Sequence, residues 1–234
     1  MKAKSIDCTG YSVEADIYGG PSNNRVVLSL IGYQSSKATY GDLCQSIVKG
    51  TGSTVVVFDY SGHGDSFVDL MDTRPAQHLN EVVCVFDWIK DAYPESRITV
   101  MGASYGGFLA GHLARWREFD RMILRAPAIY APDHFYHRQQ DIDRDWTNRV
   151  FRRDESLLAD HEMLQRLKNF SGKSLVIVHE CDEVVPAQTT DAYIAVLNAD
   201  VFVAKDQPHS IRDATKDDID AYQNAISNWI NQLD

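Results

Sequence analysis

The stretch Ile98-Thr99-Val100-Met101-Gly102-Ala103-Ser104-Tyr105-Gly106-Gly107-Phe108-Leu109-Ala110 decides how the rest of the chain is read. Its first four residues suit a short buried strand. Gly-x-Ser-x-Gly follows, and then an Ala/Gly-rich apolar run that suits a helix. A sharp strand-to-helix turn forces the serine backbone into a strained conformation, and a Cβ at Gly102 or Gly106 would collide with the neighbouring strand and helix. Such a turn lifts the Ser104 hydroxyl clear of the sheet and aims the first N–H groups of the helix at whatever that hydroxyl attacks. Composition alone gives about 0.06 occurrences of the bare pattern in a chain like this one, so the strand and helix around it carry the weight.

Outward from that turn the chain alternates. Segments 4–9 and 12–18 read as a β-hairpin around Gly10-Tyr11. Apolar runs of strand length follow at 26–31, 55–58, 98–101, 122–124, 175–178 and 201–204. Helical spacing links Leu79, Val82, Val83, Phe86 and Ile89, then Leu157, Leu158, Met163, Leu164 and Leu167, then Ala221, Ala225, Ile226, Trp229, Ile230 and Leu233. The pattern predicts an α/β fold with a mostly parallel central sheet of about eight strands and helices on both faces. The 234 residues are read as one domain, 1–234. One segment breaks the rhythm. Residues 131–154 have no clear period yet hold Phe135, Tyr136, Trp146 and Phe151, and are read as a small lid after the sixth strand.

Net charge of −10 argues against a nucleic-acid partner or an anionic membrane surface. No run approaches 18 apolar residues, so no membrane span is expected, and residues 1–18 lack the apolar core of a signal peptide. Cys8, Cys44, Cys84 and Cys181 are scattered without metal-ligand spacing. They are read as reduced thiols of a cytoplasmic protein, with Cys44 and Cys84 as small core residues.

A serine hydroxyl is a weak nucleophile until a base takes its proton, and that base needs a third group to orient it. In parallel sheets such groups gather at the carboxyl ends of strands. Asp182 follows the strand at 175–178, and His209 lies just past the strand at 201–204. Glu180, Glu183 and Asp206 are alternative acids. His179 precedes the acid and is read as its structural neighbour, His63 as part of a Gly-flanked turn, and His112 as packed and satisfied in the helix after Ser104. Two N–H donors are needed for an oxyanion. The Tyr105 amide is one candidate, and the Tyr33 amide, in the loop Gly32-Tyr33-Gln34-Ser35-Ser36, is the other.

With these residues assembled, the chain resembles the α/β-hydrolase superfamily over nearly its whole length. Asp59-Tyr60-Ser61-Gly62-His63-Gly64-Asp65-Ser66 looks like the Gly-rich loop after the fourth strand of many members, and Asp182-Glu183-Val184-Val185-Pro186 is similar to their acid loop. Ser104 to Phe108 looks most like the prolyl oligopeptidase group, whereas the short lid is closer to single-domain esterases. Ile31 departs from the His that many members carry before the oxyanion glycine. The resemblance implies a serine hydrolase needing no metal or cofactor, acting on a small ester or thioester through Ser104, His209 and Asp182. A small peptidase or amidase, using Arg138, Arg144 or Arg149 to anchor a peptide terminus, is the second expectation, and a non-catalytic ligand-binding member of the fold the third.

Overall fold

The computed structural model describes residues 1–20 and 23–232. Eight strands form one sheet: β1 (Lys2–Cys8), β2 (Tyr11–Tyr18), β3 (Arg25–Leu30), β4 (Thr54–Phe58), β5 (Arg97–Ala103), β6 (Arg121–Arg125), β7 (Lys173–His179) and β8 (Asp200–Ala204). Their order is β1-β2-β4-β3-β5-β6-β7-β8. The β1–β2 hairpin is antiparallel and pairs antiparallel with β4, and all later pairings are parallel. Among the described residues eight α-helices accompany the sheet: α1 (Gly41–Thr51), α2 (Pro75–Ala92), α3 (Tyr105–Leu113), α4 (Arg144–Arg149), α5 (Glu155–Ala159), α6 (Glu162–Leu167), α7 (Ala187–Leu197) and α8 (Lys216–Asn231).

The expected apolar runs become the inner strands. Every residue of β4 and β6 is buried, as a strand covered on both faces requires. The last of these runs differs. β8 is the sheet edge, and Val201 and Val203 are exposed on it, because no further layer covers that face. The single helix expected over 157–167 is also broken. Asp154 caps α5 through the amides of Ser156 and Leu157, and His161 Nδ1 then accepts from the Met163 amide to start α6 afresh.

The cysteines overturn one expectation. Cys8, at the end of β1, is disulfide-bonded to Cys84 on α2, with Cα atoms 5.7 Å apart. A separation of 76 residues hides this pairing until α2 is laid against β1. Cys84 is therefore a cross-link rather than a small core residue, and the argument for a reducing compartment from four free thiols lapses. Cys44 is buried and free, as expected.

The turn between β5 and α3 has the strain the sequence implies. Ser104 sits at φ 48°, ψ −110°. A Cβ on Gly102 would lie 2.3 Å from the Gly106 carbonyl oxygen, and one on Gly106 would lie 2.3 Å from that of Leu30. Both obstacles are backbone and cannot swing aside. Gly106→Ala is expected to destabilise the fold by about 3 kcal/mol or more. A urea midpoint matching the parent protein would contradict this.

Candidate active site

Three strand ends bring the site together. Ser104 directly follows β5, with its amide donating to the Arg125 carbonyl at 2.9 Å and its own carbonyl accepting from Ala128 at 3.0 Å. Asp182 sits in the loop after β7, where Oδ1 accepts from the amides of Val184 (2.9 Å) and Val185 (2.8 Å). Those two bonds fix the carboxylate, leaving Oδ2 to face His209 Nδ1 at 2.6 Å. His209 Nε2 lies 2.9 Å from Ser104 Oγ. Because an ionised carboxylate only accepts, the Nδ1 proton belongs to the Asp182 bond, and Nε2 presents its lone pair to the serine hydroxyl. The Asp182 side chain is only 3 % exposed, so water competes little for that bond. Glu180, Glu183 and Asp206 are exposed, and Glu180 accepts from the Asp206 amide instead.

Gly32 borders the serine, since a Cβ on it would stand 3.9 Å from Ser104 Cβ. Its amide donates to the Tyr40 hydroxyl at 3.0 Å, so that N–H is occupied. The next amide, of Tyr33, makes no hydrogen bond among the described residues. Tyr105, first residue of α3, has no carbonyl a turn back to bond. Two unoccupied N–H groups thus flank the serine. Tyr40 was not anticipated, because a hydroxyl that braces a loop leaves no local pattern.

Ser104 opens on a cleft of about 460 Å³ whose lining includes Tyr33, Tyr40, Arg125, His209, Ile219 and Tyr222. No residue of 131–154 lines it. That segment is fastened alongside instead. Gln139 takes the Thr73 carbonyl through its amide (2.8 Å), and Arg144 donates to the Gln139 carbonyl and to the Tyr33 hydroxyl (2.6 Å) while stacking over the Tyr33 ring. The aromatics there pack the segment down: Phe135 stacks on His112, and Phe151 is buried. Arg138 pairs with Asp72 and Asp141, and Arg149 with Asp145. Asp133, His134 and His137 place potential metal-ligand atoms within 4.8 Å of one another on this segment, away from the cleft lining.

His179 plays the structural part expected, with Nδ1 on the Pro208 carbonyl and Nε2 on the Tyr222 hydroxyl. His63 is buried with its ring parallel to that of Tyr105. His112 is packed between Phe108 and Phe135, but its Nε2 has no partner among the described residues, so the expectation of a satisfied ring holds only for packing. Burial lowers the pKa of His179 to about 4, helped by the Arg125 charge, and burial lowers both His78 and His112 to about 3. In the unfolded chain these rings protonate near pH 6.5, so between about pH 6.5 and 4 the unfolded state binds more protons. Stability is therefore full above pH 6.5 and falls on acidification, by up to about 1.4 kcal/mol per pH unit per ring. A melting temperature unchanged from pH 7.5 to 5 would contradict this.

The strand order, parallel crossovers and strained serine turn define an α/β-hydrolase fold. Residues 21–156, more than half of the chain, match the model of the serine aminopeptidase S33 family, and the chain belongs to that family. No curated protein sequence matches it significantly. Similar solved structures include Est1E from Butyrivibrio proteoclasticus, described with bound ferulic acid (17 % identity, 97 % of this chain and 98 % of that one, TM-score 0.74). An esterase from Exiguobacterium antarcticum shares 14 % identity over 99 % of this chain and 100 % of its own, at TM-score 0.74. A predicted CIB-like hydrolase from Thermoplasma acidophilum shares 20 % over 99 % and 98 %, at TM-score 0.71.

Proposed function

We propose that this chain is a serine hydrolase that cleaves a small carboxylic ester or thioester through an acyl-enzyme intermediate. The observation that carries the reading is the hydrogen-bonded line from Ser104 through His209 to Asp182. Ser104 Oγ attacks the carbonyl carbon as His209 Nε2 takes its proton. Asp182 holds the imidazole in the required tautomer and stabilises the imidazolium. The Tyr33 and Tyr105 amides receive the oxyanion. His209 then protonates the departing alkoxide or thiolate and activates water to release the acid. The description of the similar Exiguobacterium antarcticum structure as an esterase agrees with this reading. Labelling by a fluorophosphonate and turnover of short p-nitrophenyl esters test it. A folded protein that does neither is a non-catalytic member of the fold.

A peptidase or amidase reading is favoured by the family's description as a serine aminopeptidase. Such an enzyme holds the substrate ammonium against a carboxylate, whereas the buried charge beside this serine is a guanidinium. Arg138, Arg144 and Arg149 are also engaged with neighbouring groups. Rates on an aminoacyl anilide and its matching ester separate the two readings.

A further inference from the structure

We infer that Arg125 recognises an anionic group in the cleft that opens on Ser104, and that the substrate carries a carboxylate or similar anion besides its scissile bond. The inference rests on the ester-hydrolase reading and narrows its substrate class.

Arg125 ends β6, one strand across from the nucleophile, and its carbonyl accepts the Ser104 amide. The side chain turns into the same cleft as Ser104 and is 9 % exposed. Its Nε donates to the Tyr222 hydroxyl at 3.0 Å, while Nη1 is buried with no acceptor among the described residues. The rings of Tyr40 and Tyr222 lie 5.6 and 5.2 Å from the guanidinium carbon. No carboxylate among the described residues pairs with it. Tyr222 is not a hidden counter-ion. Its hydroxyl accepts from Arg125 and spends its proton on His179 Nε2, whose Nδ1–H donates to the Pro208 carbonyl.

The two other buried arginines show what a structural guanidinium looks like in this fold. Arg121 donates to the carbonyls of Trp229, Ile230 and Gln232, closing the end of α8. Arg152 donates to the carbonyls of Ile129 and Val184 and to Asn148 Oδ1. Among the described residues the Arg125 guanidinium has one hydrogen-bond partner, the Tyr222 phenol. A buried cation left so underpartnered is strongly unfavourable unless a ligand completes it. The cleft supplies the space, at about 460 Å³, and the exposed Arg212 on its lining adds a like charge, with the exposed Asp42 the opposing one. A planar carboxylate suits the guanidinium fork, and its distance from the ester is set by the step from β6 to β5.

The test compares charged and neutral esters of similar chain length. Monomethyl glutarate against methyl pentanoate places the carboxylate on the acyl side, and 3-acetoxypropanoate against butyl acetate places it on the alcohol side. In at least one pair kcat/KM is expected to favour the anion by about 10- to 100-fold. That ratio should collapse in Arg125→Met and survive in part in Arg125→Lys. Equal rates within both pairs, or an unchanged ratio in Arg125→Met, overturns the inference. If the methionine variant does not fold by circular dichroism, glutarate inhibition decides. Glutarate should compete with methyl pentanoate in the parent protein and do so more weakly in Arg125→Lys, and no inhibition overturns the inference. Turnover of the neutral esters without preference removes only the anion site, whereas no turnover of any ester by the parent protein removes the reading beneath it.

Discussion

Ser104→Ala is expected to lower turnover of a short p-nitrophenyl ester by on the order of 10⁴-fold or more, with the fold intact. The substitution removes one oxygen and keeps the Cβ, so the backbone at φ 48° meets nothing new. The serine amide and carbonyl bonds to Arg125 and Ala128 remain. What disappears is the atom 2.9 Å from His209 Nε2. Residual rate then comes from binding and from the Tyr33 and Tyr105 amides polarising the carbonyl toward water. Fluorophosphonate labelling should vanish in step. A variant that keeps a tenth of parental turnover would show that another group attacks the substrate.

The next largest effect is expected from Asp182→Asn, again on the order of 10⁴-fold in kcat. Asparagine can keep its oxygen on the Val184 and Val185 amides, so the loop should hold its shape. Its NH₂ then faces His209 Nδ1 where Oδ2 had accepted the hydrogen bond of the Nδ1–H. Two donors cannot share that bond, so the imidazole carries its proton on Nε2 and can no longer receive one from the serine. Geometry is kept and chemistry is lost. A loss under tenfold would point to another acid, with Glu180 or Glu183 next to test.

Much of this was legible in the sequence because the chemistry sits where local patterns are strongest. Gly102 and Gly106 had to be glycine for backbone reasons, and each inner strand announced itself as an uninterrupted apolar run. Asp182 and His209 could be picked because each closely follows a strand. Long-range pairings had no such signature. Cys8 and Cys84 meet only after α2 packs on β1, and the Tyr40 hydroxyl reaches Gly32 only once the loop folds back. Residues 131–154 were the least legible, because their order comes from single bonds to scattered partners such as Thr73, Ile129 and Val184. Arg125 did leave a signal that went unread. A charged residue closing the run Met122-Ile123-Leu124 of a buried strand needs a partner, and the sequence offers none nearby.

The strained serine has a consequence for anyone engineering this scaffold. A residue held at φ 48°, ψ −110° costs about 1–3 kcal/mol, and glycine would relax it. Selection for heat resistance alone would therefore drift toward position 104, and then toward an apolar replacement at the underpartnered Arg125. The most robust version of this protein would be an inert one. Thermostability screens on it need an activity gate at every round.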